Sequence, residues 1–237
     1  MQSTEMNNTQ GLEQEKSVLR WGGLAGILGG VLFILSMVVA QVLIPGAPAD
    51  LTELVARFPD IQILRVAENG LYLLGLVLGI PLCLALFMGL RKTGLASALF
   101  GSALGIVGLV SMAISATPHV AHYPVSELFH AANATPEAQE TLGLIWKATW
   151  GVFDAPLYVG FLVGMIGFAL IGVSILASEK FGKGSGWLSV VLGTAGTIAA
   201  FLQMLNPASF IGVVPFFGYI IFYFVLGSKV LRLSKAD

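Results

Sequence analysis

Asn69-Gly-Leu-Tyr-Leu-Leu-Gly-Leu-Val-Leu-Gly-Ile-Pro-Leu-Cys-Leu-Ala-Leu-Phe-Met-Gly-Leu90 contains no charged side chain and stops at Arg91-Lys92. The hydrocarbon core of a bilayer is about 30 Å thick, and about 20 apolar residues cross it as a helix. Lipid offers no water to an unbonded N–H or C=O, so an uninterrupted run of this length must close its hydrogen bonds within itself. Five further runs read the same way: Trp21–Leu43, Leu95–Ala116, Phe153–Leu176, Trp187–Leu205 and Ile211–Leu226. The expected architecture is all-α, a polytopic bundle of six transmembrane helices.

Composition agrees. Of 237 residues 56% are hydrophobic and only 11% charged, against about 25% charged in an ordinary soluble domain. A soluble enzyme and a disordered chain are both excluded. A net charge of -1 removes nucleic acid as a partner. The single cysteine, Cys83, lies inside an apolar run and leaves no intrachain disulfide and no cysteine-based zinc site.

The basic residues orient the bundle. Lys16, Arg20, Arg91, Lys92, Lys180, Lys183, Lys229, Arg232 and Lys235 fall on one side, nine of the 12, while Arg57, Arg65 and Lys147 fall on the other. The positive-inside rule then places both termini in the cytoplasm of a bacterial inner membrane. Residues 1–19 are expected as a polar cytoplasmic tail without the basic start of a signal peptide, 20–230 as the transmembrane domain, and 231–237 as a basic tail. The long connections, residues 44–68 and 117–151, face outward. In the first, Asp50-Leu-Thr-Glu53 reads as a capping box ahead of Leu54, Val55 and Phe58, a short amphipathic helix on the outer surface. In the second, Tyr123-Pro124 and Thr135-Pro136 mark two helix starts, the later one running through Trp150 and bending near Gly151 or Pro156. Trp21, Trp146, Trp150 and Trp187 read as aromatic anchors at the two interfaces.

Glycines recur at helical spacing. Gly22, Gly26 and Gly30 form one ridge, Gly101, Gly105 and Gly108 a second, Gly160, Gly164 and Gly167 a third, and Gly193 with Gly196 a fourth. Small residues at this spacing let helix backbones approach closely. The ridges serve packing within the chain or a homo-oligomer seam.

Ionisable residues near membrane depth are candidates for function. Arg65, Glu68 and Asn69 share a face at the start of the second span; Lys147 and Asp154 are two turns apart before the fourth; Gln203 sits in the outer part of the fifth. Together they are expected to line an outward polar pocket for a zwitterionic ligand or a lipid headgroup, or else to fix helix ends as interfacial pairs. A second constellation is His119, His122, Glu127 and His130, four groups suited to a divalent metal such as zinc. Pro118 and Pro124 interrupt that segment, and no His-Glu-x-x-His motif is present. Residues Lys180–Gly186 resemble a phosphate loop only in composition, and the two halves of the chain share no repeat that would mark an inverted-repeat transporter.

Arg20-Trp-Gly-Gly-Leu-Ala-Gly26, Gly75–Leu86, Tyr158–Gly164, Gly172–Leu176 and Phe181-Gly-Lys-Gly-Ser-Gly-Trp-Leu188 resemble a bacterial family of six-span membrane proteins catalogued as a domain of unknown function. The likeness covers residues 20–230. The chain departs from it in the histidine-bearing loop and in Lys183-Gly-Ser, where the family has Pro-Arg. The resemblance implies a six-helix bundle and supplies no catalytic residue. The function expected is therefore non-enzymatic: an accessory, sensory or lipid-binding component in contact with membrane lipids and needing no cofactor. A small transporter or channel subunit is the alternative, and a metalloenzyme built on the loop histidines is another.

Overall fold

A run that closes its hydrogen bonds internally keeps doing so until a residue stops it, and here most stops come late. The computed structural model describes residues 2–207 and 209–235, with side chains from residue 11 onward. Its helices are α1 (Gln2–Val38), α2 (Leu51–Ala56), α3 (Phe58–Leu90), α4 (Leu95–Ser115), α5 (Pro118–Phe129), α6 (Pro136–Leu176), α7 (Lys183–Leu205) and α8 (Val213–Leu233). Among the described residues there is no strand. Six helical stretches are long and apolar enough to span a membrane, as the sequence predicts.

The spanning helices form a closed ring in the order α1, α3, α4, α6, α7, α8 and back to α1. Each packs on the spanning helices before and after it in the chain, and α8 closes on α1. Leu82, Leu86, Met165, Phe168 and Tyr223 fill the centre and are almost wholly buried. The phenyl rings of Phe168 and Phe222 stack at 3.5 Å there. Tyr223 donates to the Gly75 carbonyl (3.2 Å) and Tyr219 to that of Gly160 (3.4 Å), which settles both hydroxyls inside an apolar core.

The glycine ridges are used within the chain. A Cβ on Gly108 would lie 2.6 Å from the Gly164 Cα, and one on Gly167 would lie 2.6 Å from the Gly105 nitrogen. The second and third ridges therefore mesh, α4 against α6, at backbone contact. Gly22 and Gly26 face Pro81 and Leu82 of α3, and Gly193 and Gly196 face Met165 and Ala169 of α6.

Several boundaries differ from expectation. Residues 11–19 are no separate tail: they continue α1, and Glu15 meets Arg91 (3.5 Å) and Lys92 (3.9 Å). Of the expected basic tail, 231–233 end α8, and residues 236 and 237 lie outside the described residues. Helix α3 starts at Phe58, well before the predicted Asn69. Helix α5 starts at Pro118, where a missing N–H costs nothing, rather than at Pro124, which lies within it. Helix α6 does start at Pro136, capped by the Thr135 hydroxyl accepting from Ala138 N–H, and it runs unbroken past Gly151 and Pro156.

Length then builds a cap. At 1.5 Å per residue, α7 with 23 residues is about 35 Å long, enough for one crossing. Helix α3 with 33 residues reaches about 50 Å, and α6 with 41 about 62 Å. Both overshoot a hydrocarbon core of about 30 Å at the same end of the ring. Helices α2 and α5 pack on these overhangs, and Val55, Phe58, Val125, Phe129 and Trp146 close a second hydrophobic core there. The start of α2 is as read: the Asp50 carboxylate accepts from Thr52 N–H (2.7 Å) and Glu53 N–H (3.3 Å). The helix lies against α6, with Leu51 on Gly143.

Candidate functional site

Helix geometry puts Arg65, Glu68 and Asn69 on one face of the α3 overhang. Arg65 Nη1 donates to Glu68 Oε2 at 2.8 Å, and its guanidinium lies 6.0 Å from the Trp150 ring centre. The next turn inward carries Asn69, whose Nδ2 is 3.1 Å from His119 Nδ1 on α5. His122 follows one turn along α5. Its ring stacks on Trp146 at 3.8 Å with an interplanar angle of 11°, and Phe58 meets the same indole edge-on at 5.0 Å.

These groups wall a cleft at the capped end. Leu54, Phe58, Ile61 and Pro118 supply apolar walls; Arg65, Asn69, His119 and His122 supply polar ones; Trp146 and Trp150 close the side. The depression measures about 330 Å³ with its open mouth, and the room it offers a small group is about 20 Å³, that of one water. Inside it the chemistry is unbalanced. His122 is 1% and Trp146 3% exposed. His122 Nε2 and Trp146 Nε1 are buried, and neither has a hydrogen-bond partner. An unsatisfied buried polar group costs about 1–3 kcal/mol, and both residues stand in the wall of this cleft.

The expected six-residue pocket divides. Arg65, Glu68 and Asn69 come together, with His119 as a partner the sequence had assigned to the metal set. Lys147 is exposed, while its neighbour Trp146 turns inward. Asp154 is half-buried near Tyr158, which also neighbours Gln203. Gln203 is itself buried, donating to the Pro207 carbonyl at 3.2 Å, with its Oε1 against Gly212. Among the described residues, no hydrogen bond or ion pair links Asp154 or Gln203 to the Arg65 group.

The four metal candidates also separate. His119 and His122 face the cleft. His130 places Nδ1 2.8 Å from the Ser126 carbonyl and Nε2 3.1 Å from that of Ala56, tying α5 to the end of α2. Glu127 is exposed, beside Tyr123. Among the described residues no three of His, Cys, Asp and Glu gather where they could hold a metal ion.

Trp146 and Trp150 are the residues that sequence reading misplaced. Read as interfacial anchors, they form the wall of the cleft, whereas Trp21 and Trp187 are 69% and 60% exposed. A signal was present: Trp146 and Trp150 are one turn apart on α6, as His119 and His122 are on α5, so each helix offers an aromatic pair on a single face. No known protein family, no curated protein and no solved structure matches this chain.

Proposed function

We propose that this integral membrane protein binds a small or lipidic ligand in the cap cleft and catalyses no reaction on it. The carrying observation is the convergence of Arg65 and Asn69 from α3 and His119 from α5 on one open depression walled by Trp146 and Trp150. The filled centre of the ring favours binding at the end of the bundle over conduction through it, since Leu82, Leu86 and Met165 are each 0% exposed. The nine-to-three distribution of basic residues supports a bacterial inner-membrane location with both termini cytoplasmic and the cap outside.

Native mass spectrometry of the protein released from mild detergent tests the reading. The expected spectrum carries a bound mass on the wild type that is lost or reduced in Trp150→Ala, a variant that removes one aromatic wall of the cleft. A wild-type protein that emerges at its sequence mass, and stays there after incubation with total bacterial lipid, refutes it.

A further inference from the structure

We infer that the cap cleft selects an amphiphile whose headgroup is an anionic oxygen group, a carboxylate or a phosphate, on an apolar chain. This rests on the binding reading above and narrows it to a ligand class. Three observations carry it.

The first is the sign of the hydrogen-bonding surface. The Asn69 amide nitrogen meets His119 Nδ1 within the wall. Arg65 has five N–H donors in a planar fork, and its contact with Glu68 goes through Nη1 alone. Arg65 therefore keeps unspent donors at the opening, and a ligand that pairs with them must accept.

The second is charge. Among the described residues lining the cleft, Arg65 is the only charged side chain. Glu68 pairs with it and does not itself line the opening, although its charge acts on His119 in the wall. A cationic headgroup would find no carboxylate in the wall, whereas an anionic one would meet a guanidinium already oriented by Glu68 and Trp150. Arginine forks match carboxylate and phosphate oxygens in two-point contacts.

The third is shape. The room in the cleft, about 20 Å³, admits a group of about one oxygen's size, and most of the remaining lining is apolar: Leu54, Phe58, Ile61 and Pro118. A ligand with one small polar headgroup and an apolar remainder therefore fits this lining.

The test uses the full-length chain in dodecyl maltoside with Trp21→Phe and Trp187→Phe, which leaves Trp146 and Trp150 as the only indoles of the four. Quenching is titrated with 9,10-dibromostearate, and with the alcohol and the trimethylammonium of the same brominated chain. Dibromostearate is expected to quench saturably and to bind at least tenfold tighter than either analogue. Arg65→Gln should weaken the carboxylate at least tenfold and leave the alcohol within twofold. Arg65→Lys, which keeps the charge and loses the fork, should fall between. Brominated phosphatidic acid against brominated phosphatidylcholine then separates a membrane phosphate from a free fatty carboxylate as the source. Saturable binding of all three headgroups with equal affinity overturns the anionic selection and leaves the binding site standing. No saturable quenching by any of them overturns both.

Discussion

Gly108→Ala puts the backbone contact between α4 and α6 to the test. The added methyl would stand 2.6 Å from the Gly164 Cα, 2.7 Å from the Gly160 oxygen and 2.7 Å from the Gly164 nitrogen, all of them backbone atoms. No rotamer change relieves such a contact. The helices must part locally by about 0.8 Å to reach the 3.4 Å of ordinary van der Waals packing. A gap of that size forfeits between a quarter and a half of each dispersion contact it opens. Overpacking of this kind costs about 1–3 kcal/mol, and neighbours that are all backbone atoms of α6 place it toward the upper figure. Alanine returns about 1 kcal/mol of helix propensity over glycine. The net expectation is a loss of about 2 kcal/mol. Gly151→Ala is the internal control: it lies in the same long α6 with nothing within 4 Å of its added carbon, so only the propensity gain of about 1 kcal/mol remains. Equilibrium unfolding in mixed dodecyl maltoside and SDS micelles, followed by tryptophan fluorescence, should move the two midpoints in opposite directions. Midpoints that shift in the same direction, or a Gly108→Ala protein as stable as the wild type, would refute the α4–α6 packing described here.

Two further outcomes follow from particular contacts. A Cβ on Gly164 would press on the Tyr219 hydroxyl and lie 2.9 Å from its ring carbon Cζ; Gly164→Ala should therefore destabilise, and adding Tyr219→Phe should recover part of the loss, a favourable coupling of about 0.5–3 kcal/mol, whereas strictly additive effects would place the tyrosine elsewhere. At the cap, the Thr52 hydroxyl, then the Thr52 and Glu53 amides, hold the Asp50 carboxyl below its ordinary value. A lowered folded pKa contributes stability that is complete above the ordinary value near 4 and lost as the pH falls through the lowered one. Hydrogen–deuterium exchange over residues 51–56 should thus be faster in Asp50→Ala than in wild type at pH 7, with the difference vanishing in strong acid; a difference independent of pH would sink the capping argument.

The cleft illustrates why neighbouring residues can mislead. Lys147 and Trp146 are adjacent, yet the charged one is exposed and the aromatic one is buried at 3%. Successive helical residues point about 100° apart, so which of them turns inward depends on how α6 is rotated against α2 and α5. That rotation is set by the second core of Val55, Phe58, Val125 and Phe129, whose members are scattered over more than 70 positions of the chain. Arg65, Glu68 and Asn69 could be grouped from sequence because one helix carries all three. Joining Asp154 and Gln203 to them required knowing the lateral arrangement of three helices. Depth along the membrane normal, the one coordinate hydropathy supplies, does not contain it.

What the amino-acid sequence determined alone is everything written along one axis: six spans, the Asp50 and Pro136 helix starts, and the small-residue ridges. Lipid enforces this, because an apolar run with no water to bond has only the helix available to it. The tertiary structure decided what lies across that axis. It meshed Gly101, Gly105 and Gly108 with Gly160, Gly164 and Gly167, carried α3 and α6 past the membrane as supports for a cap, and brought His122 and Trp146 face to face. Contacts of this kind depend on helix rotation and on partners far away in the chain, and they are chosen by packing the whole ring and its cap together.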